Sequence, residues 1–257
     1  MSKTRKIMEG FFKSNNIVVL TGAGISAESG LPTFRGKDGY WTKGSRNYHP
    51  MELARFNAFK QEPDVVWEWY HYRRNLYAET EPNKGHYALV DLEKYFKEAG
   101  KEYYLITQNI DGLHRKAGSN PQNMFEIHGN IFFMRCSKNC TDAIVPIENG
   151  TTGVPVCTHC GSSMRPHVLW MDEFYDEENY KFTTVKRLGE EMDALLVVGT
   201  TLQTNLPNQL VNYAYYKKIP TIAVNLESLG LEQYGMLELL GKSGDILSGL
   251  VSKLENI

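Results

Sequence analysis

The stretch NIVVLTGAGISA, Asn16 to Ala27, limits the folds open to this chain more than any other. NIVVL is too short for a helix and β-branched enough for a buried strand. It runs into Gly22-Ala23-Gly24 and, three residues on, Ala27. A strand delivering a G-x-G-x-x-A turn reads as the first strand–helix turn of a dinucleotide-binding sheet. Glycines permit the tight turn and let backbone N–H groups approach a diphosphate at a helix N-terminus. Alone, the pattern also suits a Gly-rich turn without a ligand. A plain dehydrogenase would continue with a helix, a second strand and an acid about 20 residues on. This chain continues SGLPTFRGKDGYW, where Pro32, Gly36 and Gly39 argue against a strand. Phe34, Arg35, Tyr40 and Trp41 are expected in a lid over whatever the glycines hold.

Three further runs resemble the first: EYYLI (102–106), ALLVV (194–198) and PTIAV (220–224). All four end in small or polar residues, and helical patterns such as 85–99 and 207–218 separate them. The alternation predicts an α/β fold, a Rossmann-like doubly wound parallel sheet with ligand groups gathered at the strand carboxyl ends. Two segments interrupt it. Residues 36–84 hold helical patterns and no good strand, and 129–169 hold short strand-like pieces and turns. The expected division is a nucleotide-binding domain of 1–35, 85–128 and 170–257, with a smaller module built from a helical part, 36–84, and a cysteine-bearing part, 129–169.

All four cysteines, Cys136, Cys140, Cys157 and Cys160, fall in that last part. Two close-spaced pairs 16 residues apart are near the spacing of a four-thiolate zinc site, which is closed to water and therefore structural. A cluster of this kind points to a reducing compartment. With no secretory signal pattern at the N-terminus, a cytoplasmic location is expected. At 257 residues and a formal net charge of −2, the chain has no basic nucleic-acid footprint, and no apolar run approaches the roughly 18 residues of a membrane span. Neither nucleic acid nor membrane is therefore expected as a partner.

After the second strand, TQNIDGLH (107–114) places Gln108, Asn109 and Asp111 at a strand end, a combination suited to a carboxamide and a ribose. EIHGN (126–130) places His128 at the same predicted cleft, where an imidazole can serve as a general base near neutral pH.

Taken together, GAGISAESGLPTFRG, TQNIDGLH, IHGN, the paired cysteines, RPHVLW, GTTL and VNLE resemble the sirtuin (Sir2) family of NAD-dependent protein deacylases, from about Ile17 to Leu250. The resemblance implies that NAD and an acyl-lysine protein or peptide meet in a cleft between a Rossmann-like domain and a small zinc-and-helix domain. It implies NAD contacts from Gly22, Ala23, Gly24, Glu28, Thr33, Phe34 and Arg35, and ribose and nicotinamide contacts from Gln108, Asn109 and Asp111. Gly199, Thr200 and Thr201, with Asn225, Leu226, Glu227 and Ser243, would take the adenosine half. His128 would be the general base, and one structural zinc ion would sit on the cysteines. The acyl oxygen would attack the nicotinamide ribose, nicotinamide would leave, and the products would be free lysine and O-acyl-ADP-ribose. The HVLW strand, with Val168 and Trp170, would pair with the substrate backbone.

VWEWYHYRR (66–74) resembles the branch that removes succinyl and malonyl groups. There a Tyr-x-x-Arg pair, here Tyr70 and Arg73, reads the acyl carboxylate, and Ala54 matches the small residue that widens the pocket. Three residues apart on a helix, Tyr70 and Arg73 would share a face, and a guanidinium fork suits a carboxylate. The bland alternative is an amphipathic helix with packed tyrosines and solvated arginines. The chain departs from the family at Met171-Asp172, where Phe-Gly is usual. The Asp172 charge is expected beside the peptide, repelling acidic acyl groups or attracting basic substrates. The 199–207 loop is one residue longer than usual. Transfer of ADP-ribose to protein, plain acetyl-lysine deacetylation and a non-catalytic NAD sensor are the alternative functions.

Overall fold

Residues 2–32 and 50–254 are described by the computed structural model of the chain. Each of the four apolar runs is a strand: β1 (Asn16–Thr21), β2 (Glu102–Thr107), β7 (Ala194–Val198) and β8 (Thr221–Asn225). Two shorter strands, β3 (Met124–Glu126) and β9 (Leu237–Leu240), complete a six-stranded sheet of order β3-β2-β1-β7-β8-β9, every pair parallel. β3 and β9 are three and four residues long, too short to show a period in the sequence.

Alternate residues along each strand feed opposite faces. Ile17, Val19, Leu196, Val198, Ile222 and Val224 join one apolar cluster with Phe11, Leu89, Leu92, Phe96 and Leu247. These come from α1 (Lys3–Lys13), α5 (Lys84–Glu98) and α10 (Ser243–Leu254). Val18, Leu20, Leu195, Val197 and Ala223 join another with residues of α8 (Phe182–Glu191) and α9 (Asn205–Lys217). Helices therefore cover both faces, and β7 and the interior of β1, Ile17 to Leu20, are apolar because neither face meets water. Burying each such Val, Ile or Leu contributes about 1.5–3 kcal/mol.

The chain steps from β1 outward to β2 and β3, then returns to β1's other side for β7, β8 and β9. This reversal opens a crevice at the carboxyl ends of β1 and β7, the place where such sheets bind ligands. The glycine turn lies there, and it makes a 3₁₀ turn, Ala23–Ser29, in place of a long helix. Gly30 ends that turn at φ +87°, a left-handed conformation glycine adopts without a Cβ penalty. Termination thus precedes Pro32.

Beside this sheet stands a smaller module. A three-stranded antiparallel sheet, order β5-β4-β6, joins β4 (Gly129–Cys136), β5 (Ile144–Pro146) and β6 (Met164–Val168). Against it pack α2 (Pro50–Leu53), α3 (Phe56–Gln61) and α4 (Pro63–Ala78), through a third cluster that includes Phe59, Trp67, Tyr70, Ile131, Met164 and Trp170. Trp67 Nε1 donates to the Met164 carbonyl at 2.9 Å, tying α4 to β6. α6 (Leu113–Ala117) and α7 (Glu177–Tyr180) complete the α-helices among the described residues, and a 3₁₀ turn spans Leu231–Tyr234. The four sulfurs lie within 4.8 Å of one another in this module, an arrangement consistent with a zinc-binding subdomain. None of the described helices is long and apolar enough to cross a membrane.

Candidate active site

A cavity of about 870 Å³ opens where the sheet's carboxyl edge meets the smaller module. Its floor is two glycine loops in backbone contact. Gly22 N donates to Val198 O at 3.0 Å and Gly24 N to Gly199 O at 2.7 Å. A Cβ on Gly24 would lie 2.7 Å from the Gly199 Cα, and one on Gly22 would lie 2.7 Å from the Thr200 Cβ. Gly199 adds a left-handed φ of +61°. Close approach, not flexibility, requires glycine here.

From these loops Gly22, Ala23, Gly24 and Glu28 face the cavity, opposite Gly199, Thr200 and Thr201. Asn225, Leu226, Glu227 and Ser243 line its far end. The Glu28 carboxylate accepts from Gly244 N at 2.8 Å, so it also satisfies an amide at the start of α10. Gln108 and Asn109 line the wall as expected. Gln108 Nε2 donates to Thr200 Oγ1 at 2.8 Å, and Asn109 Nδ2 donates to the Gly22 carbonyl at 3.2 Å. Asp111 lies behind this wall. It accepts from Ser26 Oγ at 2.7 Å and from Leu113 N at 2.9 Å, and it faces a second cavity of about 350 Å³. Burial raises its carboxyl above the usual range despite those two donors. Thr33, Phe34 and Arg35, with the expected lid, lie outside the described residues.

His128 is partly buried on the cavity wall. Its Nδ1 is 2.9 Å from the Gln108 carbonyl, which only accepts, so Nδ1 carries the proton and Nε2 presents a lone pair. Desolvation lowers its pKa to about 4, against a smaller opposing effect of the Gln108 carbonyl, so the ring is neutral at pH 7.

Ala54, Tyr70, Arg73, Val168, Trp170 and Met171 line the same cavity from the smaller module. Tyr70 and Arg73 do share a face of α4, and both are buried. The Tyr70 hydroxyl accepts from Trp170 Nε1 at 2.8 Å, and burial pushes its pKa up to about 12. Arg73 donates to the Tyr77 hydroxyl at 2.6 Å and stacks 4.7 Å from the Trp69 ring centroid. Arg73 is therefore not a solvated surface arginine.

Asp172 departs from its expected place. It does not line the cavity; its oxygens accept from Phe56 N at 2.6 Å and Asn57 N at 3.1 Å, the first amides of α3. The charge expected beside the peptide caps a helix instead, because those amides lack partners within the helix. Met171 N donates to the Ala54 carbonyl at 2.9 Å, so residues 171–172 clamp the turn that carries Ala54. Along the predicted substrate-pairing strand, Leu169 N bonds His128 O and Trp170 N bonds Glu173 Oε2. Those donors are already engaged.

Sequence reasoning missed Tyr175, Thr204 and Lys242, which also line the cavity. Tyr175 had no signal, since it stands in a turn without a pattern. The longer 199–207 loop did signal Thr204. Leu202 there takes a left-handed φ of +56°, and Thr204 Oγ1 reaches Gln108 Oε1 at 3.0 Å.

The cysteines stand apart from this cavity. Cys136–Cys160 and Cys140–Cys157 sulfurs are each 3.5 Å apart, and all four are free of disulfides. Four thiols converging this closely fit a tetrahedral ion with metal–sulfur bonds of about 2.3 Å. The wide first spacing is absorbed by Asn139, at φ +49°, whose side chain accepts from Arg135.

A parallel sheet with a glycine-floored crevice at its strand reversal, beside a smaller module that carries four clustered cysteines, is the architecture of a dinucleotide-binding α/β protein. The sequence model of the Sir2 family matches residues 22–205. The chain is 40% identical over 243 residues to an NAD-dependent protein deacylase of Leptospira interrogans, covering 94% of each. A Sir2 homologue solved as an NAD complex superposes with a TM-score of 0.84 at 33% identity, over 98% of this chain and 94% of that one. A Sir2 homologue mutant in complex with 2'-O-acetyl ADP ribose gives a TM-score of 0.84 at 34% identity, over 100% and 97%. The chain belongs to the Sir2 family.

Proposed function

We infer that the chain is an NAD-dependent protein-lysine deacylase that consumes NAD and one water and releases nicotinamide, free lysine and an O-acyl-ADP-ribose. The observation that carries this reading is a neutral imidazole, His128, turned by the Gln108 carbonyl so that its lone pair faces a cavity floored by two glycine loops. NAD is a substrate in this reaction. The close-packed glycine loops, which have no Cβ in the way, and the start of the 3₁₀ turn suit its diphosphate, and Asn225, Leu226, Glu227 and Ser243 suit its adenosine half. Gln108 and Asn109 are assigned to the nicotinamide and its ribose, with Asp111 behind them holding Ser26, to which Asn109 donates. His128 Nε2 takes the ribose hydroxyl proton as that oxygen attacks the acyl carbon. The burial that keeps the ring neutral is what makes it available as a base at pH 7.

Acetyl-lysine is the acyl substrate that the relatives support best, since a homologue of 34% identity is solved with 2'-O-acetyl ADP ribose. A second reading extends the range to succinyl and malonyl groups. It is favoured by Arg73, a buried guanidinium on the cavity wall beside Tyr70 and Ala54. The zinc assignment rests on the donor chemistry of Cys136, Cys140, Cys157 and Cys160, with the ion as a structural staple for residues 129–169. A protein or peptide is the partner, and the reading calls for neither nucleic acid nor membrane.

The test is incubation with NAD and acetyl-, succinyl- and malonyl-lysine peptides, following nicotinamide release and peptide mass. Deacylation that His128→Ala lowers by about 10²–10⁴-fold is expected. Absence of nicotinamide release with every peptide sinks the deacylase reading. Label from NAD kept covalently on protein without deacylation replaces it by ADP-ribosyl transfer. Succinyl activity unchanged by Arg73→Met sinks the acidic pocket alone.

A further inference from the structure

His128 lines the cavity with its Nε2 already engaged. Its Nε2 is 2.8 Å from the Tyr175 hydroxyl, and the two rings stack at 5.8 Å with 27° between planes. Because Nδ1 holds the ring proton for the Gln108 carbonyl, Nε2 accepts and the phenol donates. We propose that Tyr175 is a positioning residue of this site, occupying the place on His128 that the ribose hydroxyl of the incoming dinucleotide must take. This rests on the reading of His128 as the base.

Three observations support it. The first is that Tyr175 is held where it is. Its far side stacks on Phe182 at 6.0 Å and 14°. The chain before it is pinned by Glu173, which pairs with Arg165 and accepts from Trp170 N. The chain after it is pinned by Asp176, which accepts from Asn179 N at 2.7 Å. The neighbouring Phe174 is 90% exposed, so the segment turns the tyrosine inward and leaves the phenylalanine in water.

The second is that the hydroxyl has somewhere to go. Thr204 acts on the phenol from nearby, and its Oγ1 donates to Gln108 Oε1 at 3.0 Å. His128, Gln108, Thr204 and Tyr175 thus form one polar cluster in the cavity wall. Turning the phenol O–H from His128 toward Thr204 would free Nε2 and keep the hydroxyl in polar surroundings.

The third is protonation. Burial raises the Tyr175 phenol to about 12, so it remains a donor across the working range. The Gln108 carbonyl and the phenol together lock the Nδ1–H tautomer before substrate arrives, and the dinucleotide exchanges one hydroxyl donor on Nε2 for another.

Tyr175→Phe tests this, since it deletes the hydroxyl and keeps both stacking contacts. Long-range ¹⁵N correlation spectra of histidine-labelled protein, without ligand, read the contact directly. The expected result is a His128 Nε2 resonance that moves in the variant toward that of an unbonded acceptor. NAD titrated calorimetrically into wild type and variant reads the exchange. The variant is expected to bind about fivefold more tightly, equivalent to about 1 kcal/mol. An Nε2 resonance unmoved by the substitution overturns the proposal, as does NAD affinity unchanged or weakened in the variant. Failure of the deacylase reading is distinguishable. It would show as no nicotinamide release from any acyl peptide, with the spectroscopic result standing on its own.

Discussion

Gly24→Ala probes the seam on which the whole site depends. The added methyl would sit 2.7 Å from the Gly199 Cα and 2.8 Å from the Gly199 carbonyl oxygen. Both are backbone atoms and cannot swing aside. Ordinary carbon contact needs about 3.5 Å, so the loops must part by roughly 0.8 Å. That stretches the 2.7 Å Gly24 N–Gly199 O bond past useful length. Losing the bond costs about 1 kcal/mol and the overpacking about 1–3 kcal/mol more. For a chain of this size the melting temperature should fall by roughly 5–15 °C. Parting the loops also distorts the floor of the cavity that the diphosphate must lie against, which should weaken NAD by about 10–100-fold. Scanning calorimetry and NAD titration calorimetry read the two effects. Gly118→Ala is the control, because Gly118 has φ +98° but open space around its Cβ position. It should lose about 1–2 kcal/mol of stability through backbone strain and nothing in NAD affinity. NAD binding by Gly24→Ala within threefold of wild type would refute the close-approach argument, as would an equal loss in Gly118→Ala.

The remaining expectations concern protons, metal and the clamp. Desolvation lowers His86 to about 4, His128 to about 4 and His167 to about 3. Each folded value lies below the unfolded value of about 6.5, so the unfolded chain binds more protons between them. Stability is therefore full above pH 6.5 and lost as pH falls toward 4. At pH 5 each group should cost roughly 2 kcal/mol, and a melting temperature that does not drop between pH 7 and pH 5 would contradict it. Denaturation with a chelator and colorimetric dye should release about one zinc per chain, whereas freely reactive native thiols would argue against a closed site. Asp172→Ala should destabilise by about 1 kcal/mol through loss of the α3 cap, in urea melts, and an unchanged midpoint would refute the capping role.

Local pattern determined a good deal here. Short apolar runs ending in polar residues located β1, β2, β7 and β8, because a strand buried on both faces must be apolar throughout. The glycines announced their loops, since a missing Cβ is visible in sequence whatever surrounds it. The cysteine spacing announced a convergence of four sulfurs, because close-spaced pairs can turn toward one ion. Tertiary structure decided the rest. β3 and β9 exist because the sheet offers them an edge, not because three or four residues favour it. That Gly24 abuts Gly199 depends on β1 and β7 being neighbours, although 175 positions separate the two glycines in the chain. The Asp172 charge looked exposed to substrate in the sequence and proved to cap a helix begun 116 residues earlier. Tyr175 carried no motif, and only the packing of the 173–176 turn against Phe182 sets its hydroxyl on His128. Sequence encodes what a residue prefers among its near neighbours. Which distant group meets it is a property of the assembled sheet and its two modules, and the proton chemistry of this site depends on those meetings.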